Sequence, residues 1–203
     1  MNKLLSLRDL FQMKIRALWN SESHIAAGLP FLAETCDSRV LQTAVRERVG
    51  FAEKRSLLLA GLVPGIEGEP EMPSAVKAIL DEGKWLVETL GEGWIETQPQ
   101  AAEGVMDAAI ASIIFRLNHL NIADYGSAHA YASLLRRQDA IIFYQLLRGE
   151  MNAERELSRL MEVLINPGAS AAGEGFSQSV GASPKVGLLR RPTIGLYDST
   201  ALR

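Results

Sequence analysis

Residues 6–30 read SLRDLFQMKIRALWNSESHIAAGLP, and their spacing decides the fold class. Leu7, Phe11, Ile15, Leu18, Ile25 and Leu29 fall at the helical repeat, which lays apolar side chains along one face of an α-helix. Ser6 stands at a natural N-cap, with Asp9 three residues on. This is the capping-box pattern, in which the hydroxyl accepts from an orphan backbone N–H and the carboxylate reaches back. Leu5 and Leu10 are spaced as the matching hydrophobic staple. One polar residue interrupts the stripe, Glu22. A carboxylate facing an apolar core is costly unless a cation or hydrogen-bond donors meet it. Pro30 lies near the end of the helix, with Phe31-Leu32-Ala33 as its extension.

The pattern repeats along the sequence. Asp37 or Ser38 caps a second helix with the stripe Leu41, Val45, Val49, Ala52, Ser56, Leu59 and Val63, stopped by Pro64-Gly65. A Gly/Glu/Pro-rich loop over 64–73 leads to Ser74, another candidate cap. A third, weaker helix follows, with Val76, Ile79, Leu80, Leu86, Val87, Leu90 and Trp94, interrupted by Gly83 and Gly91. A long fourth helix spans roughly Pro99 to Arg136, through Met106, Ala109, Ile110, Ile113, Leu117, Leu120, Ser127, Tyr131 and Leu134. The last runs roughly from Gln138 to Ile165 on Ile142, Leu146, Ala153, Leu157, Leu160 and Leu164. The body shows no convincing period-two alternation. Amphipathic helices joined by short connections bury their stripes most simply as a bundle. The predicted fold is all-α, an up-down four-helix bundle with one extra helix over residues 1–166.

Composition agrees. The 203-residue protein is 47% hydrophobic, 22% charged and only 6% aromatic, which favours helix over sheet. Its net charge of -3 provides no general attraction for nucleic acid. Arg136-Arg137 and Arg190-Arg191 are pairs rather than a basic patch. No apolar run reaches the roughly 18 residues of a membrane span, no signal-peptide core forms, and the single cysteine, Cys36, allows no intrachain disulfide. The expected location is the cytoplasm. No G-x-S-x-G nucleophile elbow or Gly-rich phosphate loop occurs.

Asn166-Pro167-Gly168 ends the predicted body. Residues 167–203 form a Gly/Ser-rich linker and then an apolar-basic tail. From residue 166 onward four basic and two acidic residues leave +2 on the tail and -5 on the body. The tail segment carries Val186, Leu188, Leu189, Arg190, Arg191, Ile194, Leu196 and Tyr197. A linker that supplies reach and a short segment that supplies anchors make a docking peptide.

Three motifs carry a family resemblance: Arg8-Asp9-Leu10-Phe11, Trp19-Asn20-Ser21-Glu22 followed by Leu29-Pro30, and Ile122-Ala123-Asp124-Tyr125-Gly126. In order and spacing they resemble the YciE/YciF family of bacterial stress-associated, ferritin-like proteins, over about Leu5 to Ile165. The resemblance implies a ferritin-like bundle that pairs through helix faces into a homodimer or larger oligomer. Trp85 and Trp94 are candidates for such an interface or for the core of the third helix. The resemblance also implies a dimetal centre built from Glu and His side chains of four helices, and Glu22 matches the family's first-helix Glu.

Most of the other ligands are replaced. Gly50-Phe51-Ala52 and Arg55 stand where the family has Glu-Glu-Thr followed by His or Gln, and Asn118-His119-Leu120-Asn121 where it has Glu-His-Tyr-Glu. Glu154 matches an acidic residue of the last helix. The candidate metal ligands are therefore Glu22, His119 and Glu154, an incomplete set. In an alternative arrangement, Arg55 or Arg48 fills the space of the metals and pairs with Glu22. The leading expectation is a non-catalytic structural or interaction protein without cofactor, which self-associates and docks through its tail on a protein partner or assembly. The alternative is an iron- or manganese-binding oxidase or ferroxidase, related to stress or carried as encapsulin cargo. Val186-Gly187-Leu188-Leu189-Arg190-Arg191 loosely resembles the peptides that load ferritin-like cargo into encapsulin shells.

Overall fold

The computed structural model describes residues 6–63, 74–94 and 99–170, with the side chains of 92–94 and 99–103 left aside. Five α-helices follow one another: α1 (Leu7–Thr35), α2 (Arg39–Leu62), α3 (Ala75–Trp94), α4 (Pro99–Leu134) and α5 (Ala140–Leu160). No strand occurs among the described residues, and no helix there is long and apolar enough to cross a membrane.

Ser6 caps α1. The Asp9 N–H donates to Ser6 Oγ at 3.2 Å, and the Ser6 hydroxyl donates to Asp9 Oδ2 at 2.8 Å. Asp9 thus grips the cap's hydroxyl. Leu5, one half of the expected staple, lies outside the described residues. Pro30 does not end α1, which continues to Thr35. Ser38, not Asp37, caps α2 through the Leu41 N–H. The α1–α2 corner is fixed from α4, where the buried Asp107 carboxylate accepts from the Asp37 and Ser38 N–H groups at 3.0 and 2.9 Å.

That contact sets the directions. α1 runs up and α2 down. α4 starts beside the α1–α2 corner and runs down, and α5 returns up. α3 climbs beside α1, packed on α1 and α4. The helix passes unbroken through Gly83 and Gly91. Gly83 is needed there for close approach, since a Cβ would stand 3.2 Å from Ile113 and 3.3 Å from Leu32. Trp85 is 60% exposed rather than part of the core, and the Trp94 side chain lies outside the described set. Arg136, with φ 53°, makes the sharp turn from α4 to α5, and Arg137 N–H closes it on Ala132 O at 2.9 Å.

The predicted end of the body at residue 166 needs correction, because helical backbone continues to residue 170. α5 passes into a single π turn, Met161–Ile165, and the Asn166 N–H donates to Met161 O, five residues back. A proline at 167 cannot donate, and its ring presses on the carbonyl four residues before it. The wider turn just upstream relieves that crowding. It also inserts a register step, so Ile165 is buried while Leu164, expected on the stripe, is 47% exposed. Gly104 of α4 accommodates the extension, since a Cβ there would lie 2.9 Å from the Gly168 C and Ala169 N atoms. The linker and tail residues from 171 to 203 lie outside the described residues.

Two apolar clusters make the core. The upper one includes Ile25, Leu29, Leu41, Val45, Ile110 and Leu117. The lower one includes Phe11, Ile15, Leu18, Leu59, Tyr125 and Phe143, with the Phe11 and Phe143 rings edge-on at 5.6 Å. A layer of charge lies between them.

Candidate functional site

Four helices each send polar side chains to the middle of the bundle. α1 contributes Glu22, α2 contributes Arg48 and Arg55, α4 contributes Asn118, Asn121 and Tyr125, and α5 contributes Glu150. All are buried, and Glu22, Asn121, Tyr125 and Glu150 are fully enclosed. The helical repeat explains why they meet. Glu22 sits between Leu18 and Ile25 on the α1 stripe. The buried positions of α2 run 41, 45, 48, 52, 55 and 59, so the two arginines occupy core positions one heptad apart.

Both Glu22 oxygens are engaged. Oε1 accepts from the Tyr125 hydroxyl at 2.7 Å, from Asn121 Nδ2 at 3.2 Å and from Arg55 Nη1 at 3.4 Å, and Oε2 accepts from Arg48 Nη1 at 3.1 Å. Glu150 Oε1 accepts from Arg55 Nη1 and lies 3.1 Å from Arg48 Nη2. Each arginine therefore bridges both carboxylates, and the four formal charges cancel. Gly149 makes room for this, as a Cβ there would lie 3.2 Å from Arg55 Nη2. Burial, and then the neighbouring Arg48, lower the pKa of the Arg55 guanidinium from its ordinary value. Burial, and then the Glu22 charge, hold the Tyr125 phenol well above its ordinary value. The phenol thus stays a hydrogen-bond donor.

The three residues expected to hold metal do not converge. Glu22 lies in the ion layer. His119 is exposed on α4, with Nδ1 3.0 Å from the Phe115 carbonyl and its ring 4.3 Å from the Phe115 ring. Glu154 accepts from Ser158 Oγ at 2.8 Å, one turn beyond Glu150. Among the described residues no group of three or more His, Cys, Asp or Glu side chains gathers. The donor set around Glu22 does not fit a dimetal centre. Two guanidiniums stand among two carboxylates, where they repel a cation and occupy three of the four carboxylate oxygens, Glu150 Oε2 being the one without a hydrogen bond.

The acidic partner from α5 is Glu150, which the expected set lacked. Its signal is present in the stripe: the step from Leu146 to Ala153 skips one turn, and Glu150 fills it.

Cys36 lies at the α1–α2 corner, 9% exposed, with its thiol on Leu32 O. Burial, then Asp107 and Asp37, push it from 9.0 up to about 12. Between these two values the unfolded thiol ionises while the folded one keeps its proton, so the unfolded state binds fewer protons and stability falls as pH rises. Tyr125 acts in the same direction above its ordinary value of 10.0. Each group contributes at most about 1.4 kcal/mol per pH unit. Urea midpoints followed from pH 8 to 11 should decline for the wild type and decline less steeply for Cys36→Ala. Equal slopes would show that the thiol is not shielded.

Three comparisons place the protein among known ones. A family model described as a domain of unknown function, DUF892, matches residues 6–170. No curated protein sequence gives a significant match. Among solved structures, the fold is similar to that of YcfI, a suggested structural protein from Rhodopseudomonas palustris. The TM-score is 0.64 and the identity 24%, over 77% of this protein and 96% of that one. It is also similar to the Escherichia coli stress protein YciF, with TM-score 0.63 and 17% identity over 77% of this protein and 95% of that one. At these identities the likeness establishes the shared helical, ferritin-like fold. With the family match running from the Ser6 cap to the last described helical residue, the protein belongs to the DUF892 family, the YciE/YciF type that its three sequence motifs pointed to.

Proposed function

We propose that the protein is a non-catalytic ferritin-like scaffold. Its core is closed by ion-paired arginines where the resemblance implies metal ions, and it works by self-association and by docking its C-terminal tail on a protein partner or assembly. The observation that carries this reading is the position of Arg48 and Arg55, each on both Glu22 and Glu150. The layer is neutral and almost wholly buried, and its two cations stand where a metal would need room. The structural label of YcfI and the stress label of YciF are compatible with such a role. Self-association draws support from large exposed apolar side chains, among them Trp85 at 60% and Leu57 at 72%. The reducing cytoplasm suits the lone buried thiol.

Metal analysis of the purified full-length protein tests the first half. Iron, manganese and zinc should each stay far below one per protomer, and ferrous iron should be oxidised no faster than in a protein-free blank. A stoichiometric metal would overturn the scaffold reading in favour of the dimetal oxidase. Sedimentation velocity tests the second half: a mass above that of the monomer is expected, and a strict monomer contradicts self-association.

A further inference from the structure

α2 and α5 do not close on each other over the upper half of the bundle. A groove of about 260 Å³ opens between them above α4. Its walls are apolar, with Val40 and Phe51 from α2 and Ala153 and Leu160 from α5. Val40 is 55% and Phe51 49% exposed, which is expensive for side chains of this type on a finished surface. Two acidic side chains, Glu47 and Glu156, stand exposed along it. Arg48 and Asn118, 5% and 2% exposed, close its floor from the ion layer. A surface with apolar walls and an acidic edge suits a peptide, whose aliphatic anchors answer the walls and basic side chains the edge.

We propose that this groove is the docking site for the protein's own segment Lys185–Tyr197. The inference rests on the reading of the tail as a docking peptide and names its receptor. Reach is sufficient. The last described helical residue is 170, and the helical rise puts it about 15 Å beyond Leu160 at the groove's upper end. A linker of the composition and length of 171–184 has a root-mean-square span of about 20 Å. Chemistry matches as well. Leu188 and Leu189 supply anchors, and Lys185, Arg190 and Arg191 supply positive charge opposite Glu47 and Glu156. Linkage in cis raises the effective concentration to the millimolar range, so even weak docking is populated. The segment is then stored on its own bundle, and any external partner must compete with the groove for it.

The test uses the full-length protein with a photoreactive benzoylphenylalanine in place of Leu189. Irradiation should give cross-links of monomer mass that map to residues 40–51 and 153–160. Glu47→Lys with Glu156→Lys, both at exposed positions, should cut their yield at least fivefold. Adding Arg190→Glu and Arg191→Glu should restore it, which separates a charge effect from misfolding. Groove cross-links of dimer mass would overturn docking in cis and assign the groove to the tail of a second copy. Cross-links elsewhere, or none, would overturn the site altogether. Either failure leaves the metal and sedimentation measurements untouched, so the scaffold reading stands or falls separately.

Discussion

Glu22→Ala should lower the unfolding free energy by about 3–5 kcal/mol, the usual cost of removing one partner from a buried ion pair. The loss has identifiable sources. Arg48 and Arg55 would be left with Glu150 alone, a net positive charge in an almost wholly buried site. The Tyr125 hydroxyl and Asn121 Nδ2 would lose their common acceptor. Domains of this size are stable by about 5–15 kcal/mol, so the variant should unfold at a much lower urea concentration. The informative comparison is the variant in which Glu22, Arg48, Arg55 and Glu150 are all replaced by Leu or Met. It removes the charges together with their desolvation penalty, and its stability should equal or exceed the wild type's by about 1–4 kcal/mol. A wild-type-like midpoint for Glu22→Ala would mean that water reaches the layer and that the network contributes little. If the fourfold variant is as damaged as the single one, the layer supplies more than balanced charge, and a specifying role in helix register becomes the better account.

The fold is legible in the sequence because it depends on periodicity. The α1 stripe and the Ser6 cap each act locally, and each appears in the structure. The site is legible only in part. Glu22 stands out as the one charge on a clean stripe. Arg48 and Arg55 are visible as alternative partners for it, yet neither falls on an α2 stripe that runs through Val49 and Ser56. Replacing positions 49 and 56 of that stripe by 48 and 55 gives the observed 41-45-48-52-55-59 face. An arginine on a helix ordinarily reads as solvent-facing, and only its tertiary partners say otherwise. Glu150 is marked only by the gap it fills in the α5 stripe, while Glu154 stands out by its place in the family pattern and lies one turn away. The late register shift at the π turn has no signature beyond Pro167, so the spacing points to Leu164 where Ile165 is buried. Local rules thus place the helices, but which polar groups meet between them is a property of the assembled bundle.

The double variant Arg48→Ala/Arg55→Ala should convert the layer into a site that depends on divalent cations. With the guanidiniums gone, Glu22 and Glu150 confront each other across a buried space lined by the Asn118 and Asn121 amides and the Tyr125 hydroxyl. At pH 8 without added metal the loss should be at least the 3–5 kcal/mol or so of a broken buried pair, since the two like charges also repel. Manganese supplies the missing positive charge, and carboxylate and amide oxygens suit a hard cation. At pH 8, a manganese concentration 100 times the dissociation constant should recover about 2.7 kcal/mol, seen as a rise in Tm confined to the variant. Equal responses of wild type and variant to manganese would break the link between the guanidiniums and a cation's place. A selective response would show that Arg48 and Arg55 do electrostatically what a metal would have to do, holding two core carboxylates together between two apolar clusters.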